Sequence, residues 1–172
     1  PRLHPRSKLR GIRRRRINCC SEDWYWFDYG NTRFIAYPEP TSGAWTDWNT
    51  KVALIMDEAQ SDSRLKFIVT FGHRPAYSSG SHPGEATLKT ILDALGDRYS
   101  KYVLNINSHS HNYERSFPQH RVTHLTVGTG GSLFDQSGSC LWPSCTKPSW
   151  SAQRFMQQGL TNLTFGSTSI AG

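Results

Sequence analysis

The stretch Tyr102-Val103-Leu104-Asn105-Ile106-Asn107-Ser108-His109-Ser110-His111-Asn112-Tyr113-Glu114-Arg115 passes from an apolar run into a polar segment with two histidines one residue apart. The apolar run, Tyr102 to Ile106, reads as a strand. Imidazole is the commonest protein ligand for zinc-like and iron-like metals. In an extended segment, positions i and i+2 point to the same side. In a tight loop past a strand end, the same pair reaches two neighbouring ions instead. Either arrangement suits a metal site and does little for a core. The competing reading is a polar loop pair, because metal sites need clustered ligands.

Working outward, Pro83 opens a helix with Leu88, Ile91, Leu92 and Leu95 on one face. Before it, Leu65 to Phe71 reads as a buried strand, followed by a loop from Gly72 to Pro83 rich in Gly, Ser and Pro. From Thr46 to Ser61, apolar residues Val52, Ile55, Met56 and Ala59 recur at helical spacing. Further upstream, Trp24 to Tyr29 and Thr32 to Tyr37 are aromatic and β-branched and flank Gly30-Asn31, which predicts a hairpin. Downstream, Val122 to Val127 is another strand, closed by Gly128-Thr129-Gly130-Gly131, and Gly159 to Ile170 suggests two short strands. The order β-α-β-α-β marks an α/β fold. In open α/β sheets, ligands gather past the carboxyl ends of strands. His73 and the His109/His111 pair follow two such ends, so three histidines from two segments are expected to converge.

The chain of 172 residues is long enough for one domain with a real core, and six Trp and eight Phe supply bulky packing groups. No apolar run approaches the ~18–20 residues that span a bilayer. The chain opens on Pro1 rather than Met, which points to a start other than the natural one. The net charge of +7 is uneven. Arg2, Arg6, Lys8, Arg10 and Arg13 to Arg16 make residues 1–16 strongly basic, and no acid interrupts them. A polyanion contact through this arm and a solvated or foreign tail both fit, although aromatic interleaving and helical periodicity are missing. Cys19 and Cys20 are adjacent, a strained spacing for a mutual bridge. Cys140 and Cys145 fit a small disulfide loop, and Asn162-Leu163-Thr164 is a glycosylation sequon. Both lean toward a secreted or extracellular setting without fixing the location.

Gly72-His73-Arg74-Pro75, followed at this distance by Ser108-His109-Ser110-His111-Asn112-Tyr113-Glu114-Arg115, resembles the calcineurin-like metallophosphoesterases, the purple acid phosphatase branch in particular. The glycine turn Gly128 to Gly131 is similar to one in that family, and the resemblance runs from about Trp24 to Gly172. It implies part of a four-layer αββα sandwich and metal-dependent hydrolysis of phosphate esters at a two-metal centre built from Fe, Zn or Mn. It further implies that His73 and His109 bind one metal and His111 the other. His82 matches a position facing the substrate phosphate, where it would steady the phosphate or protonate the leaving group; a surface-loop histidine is the alternative. His120 and His124 are not expected to be ligands. Asp28 and Asp57 read as surface or cap carboxylates, and Tyr113, Glu114 and Arg115 as structural, with a Glu114–Arg115 pair orienting the ligand loop.

The family's upstream Asp, Gly-Asp and Gly-Asn-His-Asp/Glu motifs have no counterpart here, and the arginine-rich arm stands in their place. The expected organisation is therefore a basic arm over residues 1–20 and the C-terminal portion of a metallophosphoesterase domain over 21–172. Completing the site would need the N-terminal half of the domain, and the arm fits a truncated or frame-shifted reading of a longer gene. The alternative function is a non-catalytic chain that binds polyanions or nucleic acid through residues 1–16. Ser108 departs from the usual glycine before the paired histidines, a change tolerated where the backbone keeps negative φ.

Overall fold

The computed structural model describes residues 23–40, 43–134 and 146–172. The basic arm, the boundary at residue 20, the Cys19-Cys20 pair and the Cys140/Cys145 pair lie outside these residues. The described chain is a mixed α/β structure, as its element order implies. The strands are β1 (Trp26–Tyr29), β2 (Thr32–Ala36), β3 (Phe67–Phe71), β4 (Tyr102–Asn107), β5 (Tyr113–Ser116), β6 (Thr123–Val127), β7 (Ser151–Phe155), β8 (Thr164–Phe165) and β9 (Ile170–Ala171). The helices are α1 (Ala44–Ser61) and α2 (Ala86–Arg98). Strands β1 to β7 form one sheet in the order β1-β2-β3-β4-β6-β5-β7, and β8 and β9 form a separate hairpin.

The middle of the sheet is parallel: β2 pairs with β3, β3 with β4, and β4 with β6. Antiparallel strands close both edges, with β1 on β2 at one side and β5 then β7 at the other. The predicted hairpin forms, with Trp26 opposite Ile35 and Gly30 at φ 59 in its turn. Helix α1 buries Trp45, Trp48, Val52, Ile55, Met56 and Ala59 along one stripe, and α2 buries Leu88, Ile91, Leu92 and Leu95. Each such side chain contributes roughly 1.5–3 kcal/mol of transfer free energy. The two buried indoles keep their N–H groups satisfied, Trp45 on the Pro38 carbonyl at 2.8 Å and Trp48 on the Ala36 carbonyl at 3.1 Å.

These helix faces cover one side of the sheet, where Ile35, Ile68, Tyr102 and Val122 join the main core. The opposite side presents Phe34, Val69, Leu104 and Leu125 and is covered in part by Leu163, Phe165 and Ile170 from the C-terminal segment. A cavity of about 490 Å³ remains between that segment and the sheet.

Two expectations change. Pro83 does not open α2, which begins three residues later at Ala86. The Glu85 N–H donates to the Pro75 carbonyl at 2.9 Å, and the Glu85 carboxylate holds the Arg74 guanidinium at 2.8 Å, so Pro83 to Glu85 close the preceding loop instead. Asp28 is not a surface carboxylate. It accepts two hydrogen bonds from the buried Arg33 guanidinium, at 2.7 and 2.9 Å. Arg33 also reaches the Ile55 carbonyl and Glu58 and lies 4.1 Å from the Trp26 ring centre, so this cation ties β1, β2 and α1 together. Strands β5 and β7 complete the sheet from segments with no apolar alternation.

Candidate functional site

Strands β3 and β4 run parallel, so their carboxyl ends lie side by side and deliver His73 and His109 to one place. Three backbone bonds fix the junction. The Gly72 N–H donates to the Ile106 carbonyl at 3.1 Å, the Ser108 N–H to the His73 carbonyl at 3.0 Å, and the Tyr37 N–H to the Phe71 carbonyl at 2.9 Å. A Cβ on Gly72 would fall 2.1 Å from the Tyr37 ring, so the chain before His73 needs glycine to pass that ring. Ser108 keeps a negative φ, as its substitution for glycine requires; the left-handed residue is the next one, His109, at φ 63.

The His73 Nε2 atom lies 3.0 Å from His109 Nδ1, and the ring centres are 4.8 Å apart. The predicted convergence is therefore present for these two side chains. His82 joins them, its ring tilted against His109 at 4.2 Å and 6.4 Å from the ring of His111. His111 faces a different neighbour. Its Nδ1 lies 2.9 Å from the Leu133 carbonyl oxygen and 3.1 Å from Ser132 Oγ. A carbonyl only accepts, so the ring proton sits on Nδ1 and the lone pair of the neutral ring sits on Nε2. That is the tautomer a metal-binding histidine takes when its other nitrogen is held by a carbonyl.

Two nitrogens bound to one ion at about 2.0–2.1 Å stand roughly 3 Å apart. The His73–His109 separation is compatible with that value, so these two residues could share an ion. Burial first, and then the neighbouring His82, Arg74 and His73, hold the His109 imidazole below its usual pKa and favour the neutral, ligating form. Among the described residues, no group of three or more His, Cys, Asp and Glu side chains assembles into an arrangement able to hold an ion. The fit is thus two nitrogen donors for one ion, with the His111 ring 6.4 Å from that of His82 and no bridging carboxylate among the described residues.

The loop under His82 is anchored by a residue whose partner the sequence misassigns. Glu114 does not pair with Arg115, which is exposed and contacts Gln153 at 3.4 Å. The buried Glu114 carboxylate accepts from the Ser79 N–H at 2.8 Å, the Ser79 hydroxyl at 2.6 Å and the Ser151 hydroxyl at 2.7 Å. Arg154 of β7, opposite Glu114 in register, donates to Ser79 Oγ at 2.6 Å. Serine-rich loop composition was the only signal for these partners.

His120 and His124 stay away from the site. His120 lies 2.9 Å from Asp97 Oδ2 at the end of α2. His124 is buried against the Tyr77 ring at 4.5 Å, and desolvation lowers its pKa to about 3. Asp57 accepts from the Tyr99 hydroxyl at 2.8 Å and from Arg98 at 2.9 Å. Asn162 is exposed, which leaves its sequon accessible.

No family model and no curated protein matches the chain by sequence. Solved structures do match by fold. One is GAP50, described as the anchor in the inner membrane complex of Plasmodium, with a TM-score of 0.54 and 22% identity. Another is the purple acid phosphatase PPD1 from yellow lupin (Lupinus luteus) seeds, with a TM-score of 0.53 and 18% identity. The matches cover 76% and 79% of this chain but 43% and 27% of those proteins. The chain therefore shares its α/β fold with these two proteins and spans less than half the length of either.

Proposed function

We propose that this chain carries the histidine side of a metal-dependent phosphoesterase site. The observation behind this reading is the His73–His109 nitrogen pair, 3.0 Å apart at the carboxyl ends of adjacent parallel strands. In this reading His73 and His109 hold one ion, Fe, Zn or Mn, and His111 offers Nε2 to a second. Bound metal would supply an acidified water and neutralise charge on the phosphate. His82, exposed beside His109, would bind the phosphate of a mono- or diester or hand a proton to the leaving oxygen. The carboxylates of a complete two-metal centre would come from the N-terminal half of such a domain.

The test pairs metal uptake with turnover. Equilibrium dialysis against Zn²⁺, Mn²⁺ and Fe²⁺, run on wild type and a His73→Ala/His109→Ala variant, is expected to show uptake that the double variant loses. Hydrolysis of a chromogenic phosphate ester by the longest available form of the protein should follow the same pattern. Equal uptake and equal hydrolysis by the two proteins would overturn the reading.

A second reading is binding without turnover. It is favoured by the lack of converging carboxylates among the described residues and by a fold neighbour described as an anchor. Its form here would be polyanion binding through residues 1–16. Salt-dependent retention on polyphosphate that disappears when those residues are removed would support it.

A further inference from the structure

Ser110 sits between the two histidines of the loop after β4 and is fully buried. A buried hydroxyl between two candidate ligands needs partners, and both of its partners come from the loop that carries His82. Ser110 Oγ donates to the His82 carbonyl at 3.2 Å and lies 3.1 Å from Ser78 Oγ. Ser78 Oγ in turn accepts from the Gly80 N–H at 3.2 Å. Proton counting gives this chain one direction. Gly80 donates to Ser78, Ser78 to Ser110, and Ser110 to the His82 carbonyl, each proton used once. The loop is thus closed back onto the residue that separates His109 from His111.

The His82 ring itself is exposed. Its tilted contact with His109, at 4.2 Å between centres, is a weak attraction between partly hydrated rings. Where the ring stands therefore follows from where its backbone is held. Glu114 fixes one point of the loop, at Ser79, and the Ser110 relay fixes the other, at His82. We propose that Ser110 is a positioning residue, latching the 78–82 loop so that His82 stands over the His73–His109 pair. The role in turnover rests on the phosphoesterase reading above; the latch itself does not.

Three measurements test it, and two are independent of activity. In Ser110→Ala, amide hydrogen exchange at Gly80, whose N–H the relay holds, is expected to rise tenfold or more, with exchange in β3 and β4 unchanged. The His82 ring proton signals should lose the shift caused by stacking on His109. Ser78→Ala, which breaks the same relay from the loop side, should move both readouts in the same direction. The Ser78→Ala/Ser110→Ala double variant should go no further than Ser110→Ala alone. Wild-type exchange and an unchanged His82 shift in Ser110→Ala would overturn the proposal. If that variant fails to fold, the same result in Ser78→Ala would do so. The third measurement is turnover, where Ser110→Ala should lower kcat about tenfold or more and leave KM within a factor of about three, the pattern of misplacement. A latch without such a loss in an active protein would overturn the positioning role. Absence of turnover in wild type would count against the phosphoesterase reading and leave the latch to the first two measurements.

Discussion

Gly128 lies directly beneath Ser110: a Cβ added to Gly128 would fall 1.9 Å from the Ser110 carbonyl oxygen. The cause is the strand order. Strand β4 pairs with β6, and β5 pairs with the far side of β6, so the connection 108–112 must cross the carboxyl end of β6. Neighbouring strands are about 4.8 Å apart, so the crossing covers roughly two such spacings. Gly128 follows the last residue of β6, and its N–H donates to the Asn112 carbonyl at 2.9 Å. Gly128→Ala is therefore expected to lift the histidine loop and to cost about 1–3 kcal/mol, the usual range for overpacking. Urea denaturation gives the energy, and a change in the His109 and His111 ring signals would confirm where the strain goes.

His73→Ala and His109→Ala each remove one of the two nitrogens in the 3.0 Å pair. Each single variant is expected to lose more than the ~10–100-fold in metal affinity typical of changes beyond the ligands themselves. The double variant should be hardly worse than either single one. Cobalt titration followed by visible absorption measures all three.

His82→Ala leaves the nitrogen pair intact. It should keep metal uptake near the wild-type level while lowering ester hydrolysis by about 10²–10⁴-fold, the range for a lost acid–base group. Parallel loss of metal would instead make His82 a ligand.

His124 makes stability depend on pH. Its pKa falls from 6.5 to about 3 on folding because burial disfavours the charged ring. The unfolded chain therefore binds the proton more tightly, and stability drops as pH falls from about 6.5 toward 3. Between pH 7 and pH 5 this group should cost on the order of 2 kcal/mol. His124→Phe keeps a ring against Tyr77 and removes the proton. Urea melts at the two pH values should show a smaller drop in the variant than in wild type.

Arg33 is buried at 2% exposure and serves Asp28, Glu58 and the Ile55 carbonyl at once. Arg33→Ala removes the donor shared by the half-buried Asp28 and the Ile55 carbonyl and uncovers Trp26. A loss of about 3 kcal/mol is expected, typical of breaking a buried ion pair, and chemical denaturation reads it directly.

Periodicity revealed the hairpin, α1, β3, β4 and β6 because each presents apolar residues at the spacing of its element. The meeting of His73 and His109 was legible for the same reason, since parallel neighbouring strands end together. Strands β5 and β7 left no such trace. The buried positions of β5 include Glu114 and Ser116, and those of β7 are Ser151 and Arg154. Ser151 bonds Glu114, Glu114 and Arg154 both hold Ser79, and Ser116 Oγ accepts from the His124 N–H, so their burial carries no hydrophobic signature. The same seam explains why Glu114 looked like a partner for Arg115. Adjacent residues on a strand point to opposite faces, so that pairing was geometrically closed. Pro83 does not start α2 because the backbone is still extended at Glu85 (φ −81, ψ 113), where the Glu85 N–H closes the loop on the Pro75 carbonyl.

The order of the strands also sets an order in time. Strand β5 leans on β6, which follows it in the sequence, and on β7, which follows later still. A chain emerging from the ribosome thus presents its paired histidines before either support exists. The loop has no floor until Gly128 has been synthesised and β6 has docked against β4. The candidate site is then among the last parts of the sheet to be assembled, and fraying that starts at β7 would take it apart first.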